Sequence, residues 1–149
     1  MKYQIAAKPE NASDIKAAVI GAGPAGLFAA YELAQCGLCP QVYERGKAVE
    51  ERQQDVETYW SEGSLNPESN VQFGEGGAGT FSDGKLNTLV KDKFGRSRYV
   101  LETFVKFGAP EDILYVAKPH VGTDVLRNVV TQMRQEIIRL GGTFHFSSK

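Results

Sequence analysis

"VIGAGPAGLFAA" (Val19–Ala30) sets three glycines, Gly21, Gly23 and Gly26, between an apolar run and a stretch with helical spacing. Two readings compete. One is a tight turn from strand to helix. The other is a phosphate that must come within hydrogen-bonding distance of bare backbone. A G-x-G-x-x-G pattern alone is a weak signal, so its surroundings decide.

Upstream, "IKAAVI" (Ile15–Ile20) is short, apolar and partly β-branched, which predicts a buried strand. Downstream, "PAGLFAAYELAQCG" places Leu27, Ala30, Leu33 and Ala34 at helical spacing, and Gly37 stops the pattern. "PQVYE" (Pro40–Glu44) predicts a second strand. Strand, helix and strand in about 30 residues form a βαβ unit with a right-handed crossover. Glu44 ends the second strand 18 positions after Gly26, close to the roughly 20 of a dinucleotide-binding unit.

Each part then has a mechanical task. Gly21 permits the turn out of the strand. Gly23 leaves room for a pyrophosphate, and Gly26 lets helix and strand pack closely. Pro24 and Ala25 open the helix, where a missing proline N–H costs little. The first-turn amides and the helix dipole face the phosphate. Glu44 accepts hydrogen bonds from a ribose diol. A carboxylate there repels a 2′-phosphate and so opposes an NADP-type ligand.

The bulk properties fit one ordinary domain: 149 residues, 42% hydrophobic and 23% charged. A net charge of -1 gives no general attraction to nucleic acid or an anionic membrane. No apolar run is long enough to span a bilayer. The opening "MKYQIAAKPENASDIK" lacks the apolar stretch of a secretory signal. Two cysteines fit a reducing, cytoplasmic setting. Residues 1–14 read as a tail or linker, and 15–149 as the domain.

Further along, "KAVEERQQDVETYWSEG" predicts a helix ending at Gly63, and "SRYVLETFVKFG" an amphipathic helix. "DILYVA" reads as a strand. "TDVLRNVVTQMRQEIIRLGG" is the clearest helix, with Thr123 as its expected N-cap and Gly141–Gly142 as its stop. "TFHFS" (Thr143–Ser147) reads as a strand close to the terminus, as if the chain were the N-terminal piece of a longer protein.

A second glycine cluster, "FGEGGAGTFSDGKLNT" (Phe73–Thr88), is the more unusual stretch. Successive amides in such a loop make an anion-binding concavity, and Thr80 and Ser82 add hydroxyls. A second loop suits a ligand larger than a mononucleotide, such as FAD. From the residues alone, a surface loop or glycine hinge explains it equally well.

Three stretches resemble a known family. "AVIGAGPAGLFAAYELAQCGLCPQVYERG", "NVQFGEGGAGTFSDGKLNT" and "KPHVGTDVLRNVVTQMRQEIIRLGGTFHF" look like the N-terminal part of the uncharacterised FAD-dependent dehydrogenases. These are flavoproteins with the glutathione-reductase-like FAD fold. The resemblance implies an α/β, Rossmann-like FAD/NAD(P)-binding fold with a parallel sheet, incomplete at the C-terminus. It implies FAD pyrophosphate on Gly21, Gly23, Pro24, Ala25 and Gly26, and adenosine ribose on Glu44. It implies further contacts from Gly76, Gly77, Gly79, Thr80 and Ser82, with Arg45 and Arg52 facing the cofactor. Family members are longer, and a later glycine–aspartate segment completes their flavin side. This chain alone is therefore expected to bind FAD weakly or not at all and to be inactive.

Other residues carry competing readings. "CGLC" (Cys36–Cys39) has C-x-x-C spacing, but it lies at the end of the βαβ helix remote from the phosphates, so both cysteines are expected to be structural. No second cysteine pair completes a metal site. His120 and His145 read as ordinary loop and strand histidines. Asp83 and Lys85 read as solvated charges beside Gly84. The expected activity is that of an oxidoreductase acting on a small molecule, with NAD(P)H or another electron donor. An NAD-binding dehydrogenase domain and a non-catalytic interaction module are its rivals.

Overall fold

The computed structural model describes residues 3–86 and 91–149. Asn87 and Thr88, which end the second glycine stretch, lie outside the described residues.

The βαβ unit forms as the spacing requires. Strand β1 (Ala18–Ile20) leads into helix α1 (Pro24–Gln35), which returns to strand β2 (Gln41–Tyr43). The three-stranded sheet is parallel in the order β1-β2-β3, with β3 spanning Thr143–His145. In register, Val19 stands opposite Val42, and Val42 opposite Phe144. The strands are shorter than the apolar runs that predict them. Ile15 stays exposed before β1, and Phe146 and Ser147 lie beyond β3.

Helix α4 (Thr123–Arg139) makes the second crossover and packs against α1. Both crossover helices therefore lie on one face of the sheet. Val19 and Val42 point into that face, where Leu27, Ala30, Val129, Met133 and Ile137 close the core. The alternate residues Ala18, Ile20, Gln41, Thr143 and His145 are exposed on the other face, with Ile20 82% accessible. His145 stacks there on Tyr43 with ring centroids 4.6 Å apart.

Two further helices flank this core. Helix α2 (Val49–Glu62) ends at Gly63, whose φ of 74° supplies the left-handed stop. Helix α3 (Arg96–Lys106) turns Phe104 toward Phe28 of α1.

Two expectations need correction. "DILYVA" is no strand: Glu111–Leu114 is a 3₁₀ turn launched from Pro110. The Asp112 carbonyl accepts from both the Tyr115 and Val116 amides, which holds the chain curled. Thr123 is not the N-cap of α4. Gly122 takes that place, and no side chain caps the helix. The segment before β1, read as a tail or linker, touches the folded part at two points. Tyr3 packs 4.8 Å from the Tyr99 ring and donates to Glu32, and Cys36 donates to the Ala6 carbonyl.

No helix among the described residues is long and apolar enough to cross a membrane.

Candidate cofactor site

The first loop runs from the end of β1 to the mouth of α1. Gly21 sits at a φ of 93°, which a side chain rarely adopts, and donates to the Tyr43 carbonyl at 2.7 Å. Gly23 is the N-cap, and a Cβ built there meets no atom within 4 Å. That open space is what a phosphate approaching backbone requires. A Cβ at Gly26 would lie 1.9 Å from the Gly21 carbonyl oxygen. Gly26 is therefore the position where helix and strand come too close for any side chain. Pro24 occupies the first helical position, no side chain caps the helix, and the first intrahelical bond is Leu27 N–H to the Gly23 carbonyl. The amides of Ala25 and Gly26 thus belong to the uncapped first turn, the ordinary anion-binding end of a helix.

Glu44 follows β2 directly, is 6% exposed, and has a task that the spacing does not reveal. Its carboxylate accepts from the Ala22 amide at 2.6 Å and the Gly46 amide at 2.8 Å. One carboxylate thereby ties the first loop to the end of β2. A carboxylate has about four acceptor positions, so two remain for a diol.

The second loop differs from its expectation. Most of its amides are taken by protein carbonyls, and those of Ala78 and Gly79, at the start of a 3₁₀ turn, are not. The Glu75 amide donates to the Lys47 carbonyl, Gly76 to Ala22, Gly77 to Gly74, Thr80 to Gly77 and Ser82 to Gly79. Gly76 N–H to Ala22 C=O, at 2.8 Å, docks the second loop on the first. The loop glycines answer crowding from neighbours. A Cβ at Gly77 would stand 2.9 Å from Pro24, and one at Gly76 would stand 2.1 Å from the Thr80 hydroxyl. Gly79 has open space around it. Thr80 is 3% exposed, whereas Ser82 is exposed and donates to the Gly79 carbonyl.

The structure does not turn Arg52 toward a cofactor. Its side chain is fully buried within the second loop and donates to backbone carbonyls there. Burial pushes its guanidinium down to about 10, against the opposing pull of the Glu44 and Glu75 carboxylates. Arg45 is exposed, pairs with Glu68 at 2.8 Å and lies over the Phe73 ring. It borders a separate cavity of about 270 Å³ with Gly46, Ser69, Ser147 and Lys149.

Glu75 is the polar residue that the sequence reading passes over. It is fully buried, and its Oε2 accepts from the Val49 amide at the start of α2. Arg134 Nε stands 3.1 Å from Oε1, an ion-pair contact whose orientation is not that of a hydrogen bond. Burial pushes its carboxyl up to about 7, with Arg134 and the Val49 amide pulling the other way. A glutamate inside a glycine run signals this only once the fold puts α2 beneath it.

A largely apolar cavity of about 450 Å³ opens between the two loops and the helices. Pro24 and Phe28, Gly76, Thr80 and Ser82, and Met133 contribute to its wall. Lys85 reaches its rim and pairs with the exposed Asp83. His120 is exposed and bridges to Lys85 through the backbone. Cys36 and Cys39 are free thiols at the far end of α1 from this cavity.

Residues 16–80 match the model of a family described as FAD binding domain. The match begins before β1 and ends inside the second loop, so it takes in the first glycine cluster, Glu44 and the second cluster as far as Thr80. The cofactor indicated is FAD, and the parallel α/β sheet is the Rossmann-like frame that such a segment needs. An uncharacterized protein of Clostridium beijerinckii is 57% identical over 131 residues, which cover 88% of this chain and 24% of that protein. The chain thus spans about a quarter of the length of this relative.

Proposed function

We propose that this chain is the FAD-binding portion of a flavin-dependent oxidoreductase, a dehydrogenase of the FAD-dependent group that its sequence resembles. One observation carries the reading: the two glycine loops dock on each other through the Gly76 amide and the Ala22 carbonyl. Docking makes one continuous bed from the Glu44 carboxylate, past the mouth of α1, to the second loop. A mononucleotide needs only the first part of such a bed.

In this reading the Ala25 and Gly26 amides hold the pyrophosphate, and the bare backbone at Gly23 lets it approach. Glu44 orients the adenosine ribose through its free acceptor positions, and Arg45 borders that end. Gly76, Gly77, Gly79, Thr80 and Ser82 shape the flavin side. FAD, when bound, carries electrons as a hydride or singly. The protein residues bind and orient it and, with the apolar cavity, keep water away. For the whole protein we assign a small-molecule substrate and NAD(P)H or another electron donor.

The experiment is to incubate the full-length protein with FAD, desalt it and record its visible spectrum, with NAD titrated in parallel. A retained yellow chromophore is expected. NAD binding without flavin would replace this reading with a nicotinamide-dependent one. Binding of neither ligand would favour a non-catalytic module.

A further inference from the structure

We propose that Arg52 is a positioning residue for FAD: it holds the second glycine loop in place against the first without touching the cofactor. The inference rests on the FAD reading above for its ligand, and on geometry alone for the clamp.

The clamp is built from one side chain and five carbonyls. Arg52 Nε donates to Asn70 at 2.8 Å, and Nη2 to Val71 at 3.0 Å. Nη1 reaches the carbonyls of Gly74, Glu75 and Gly77 at 3.3, 2.7 and 2.9 Å. Every one of these acceptors is main chain. An arginine that serves an ion pair is satisfied by a carboxylate; this one is satisfied by the path of a loop. A rigid planar fork with five N–H groups suits that task, whereas a lysine ammonium offers three donors at one point.

The loop is shaped to receive it. A Cβ at Gly74 would lie 2.4 Å from Arg52 Cδ, so the glycine there makes room for the arginine. The guanidinium also lies over the Phe81 ring, 4.7 Å from its centroid. The grip is reciprocal, because the loop reaches back through Glu75 to the Val49 amide of the helix that carries Arg52. Gly77, the last residue held, abuts Pro24. Fixing the Gly77 carbonyl therefore fixes where the second loop meets the pyrophosphate end of the first.

The test uses Arg52→Lys and Arg52→Met in the full-length protein, with two readouts. The first is hydrogen exchange of the Gly76 amide without ligand. The second is the Kd of FAD compared with that of ADP, which reaches only the first loop and Glu44. For Arg52→Lys we expect a folded protein whose Gly76 amide exchanges faster. FAD binding should weaken by roughly tenfold or more, because ordering a loop that has lost charged hydrogen bonds must then be drawn from the binding free energy. ADP binding should change by less than about threefold, since its contacts are untouched. Arg52→Met should lose more FAD affinity still; if it fails to fold, the lysine variant alone decides. Unchanged exchange and FAD affinity in Arg52→Lys would overturn the proposal. Equal loss of FAD and ADP would overturn it too, because it would mark a general structural role. Should the unaltered protein bind ADP but no FAD, the FAD reading fails, and the exchange measurement still decides whether the clamp exists.

Discussion

The two glycine loops look alike in sequence and use their glycines for opposite purposes. In the first, Gly23 keeps space empty and the helix mouth keeps its amides uncapped. In the second, the space left by Gly74, Gly76 and Gly77 is filled by Arg52, Thr80 and Pro24. Its amides largely bond to carbonyls of its own loop or of its neighbours. On the proposed reading the first loop is shaped toward a ligand. The second is shaped toward the protein, and meets a ligand only as a finished surface. A glycine count does not separate these cases; the atoms around each missing Cβ do.

The widest separation should come from two alanines three residues apart. Gly26→Ala puts a methyl 1.9 Å from the Gly21 carbonyl, so α1 must move off β1. We expect a loss of stability on the order of 3 kcal/mol or more, read as a fall in Tm, with FAD binding lost alongside. Gly23→Ala enters open space at an ordinary φ of -71°. It should cost about 1 kcal/mol or less, as a poorer N-cap, yet weaken FAD clearly. Equal effects of the two on stability would erase the distinction between a packing glycine and a ligand glycine.

Glu44 stands between the loops and tests whether the ligand or the scaffold owns it. Glu44→Ala removes both the Ala22 and Gly46 hydrogen bonds. Two lost contacts to a buried charged group should cost roughly 2–4 kcal/mol of stability. Glu44→Gln keeps one acceptor oxygen, so it should lose about half of that while still weakening FAD. A glutamine variant of full stability and full FAD affinity would remove Glu44 from the ribose.

The second loop should show its inward character in its pH dependence. The unfolded Glu75 carboxyl titrates near 4.5 and the folded one near 7. Between those values the folded chain holds a proton that the unfolded chain has released. Stability from this group is therefore full below about pH 4.5 and falls as pH rises toward 7. The groups around it, Arg134, Glu50 and Glu44, set the depth of that fall. The difference in unfolding free energy between the unaltered protein and Glu75→Gln should drift by about 2 kcal/mol across the window. A pH-independent difference would mean that Glu75 stays ionised throughout, held by Arg134.

Much of this arrangement is legible in the sequence because local rules govern it. The βαβ unit follows from two apolar runs, helical spacing and three glycines, all within one short stretch. Gly63 and Gly141–Gly142 stop helices where the sequence places them. The misreadings share a cause in context. "DILYVA" has strand-forming side chains but no neighbouring strand to pair with among the described residues, and Pro110 sets a turn before it. Arg52 reads as a helix-surface cation until the loop from residue 70 to 77 closes over it. Glu44 reads correctly as an acid at the end of β2, but its bonds to Ala22 and Gly46 depend on how strand and loop meet. Contacts between residues some 20 positions apart, across a loop without periodicity, leave no pattern to read.

The smallest effect is expected at a third glycine turn, which serves neither loop. Gly37 sits between Cys36 and Cys39 at a φ of 76° and lets the chain leave α1 for β2. Cys36 is buried and donates to the Ala6 carbonyl at 3.2 Å, which ties the segment from residue 3 to 14 to the end of α1. Cys39 is exposed and faces Gly141, where a Cβ would lie 3.1 Å from its sulfur. A serine at either position puts a somewhat smaller hydroxyl where the thiol stands, and at Cys36 it keeps a donor. The double variant Cys36→Ser/Cys39→Ser should lose less than about 1 kcal/mol of stability, the scale of a small buried polar exchange. It should bind FAD with unchanged affinity, because both sulfurs lie at the far end of α1 from its ligand-facing mouth. Calorimetric FAD titration beside a thermal melt checks both halves. A double variant that melts normally but loses flavin or turnover would give the C-x-x-C pair a redox task, and would add a third functional turn to the two compared here.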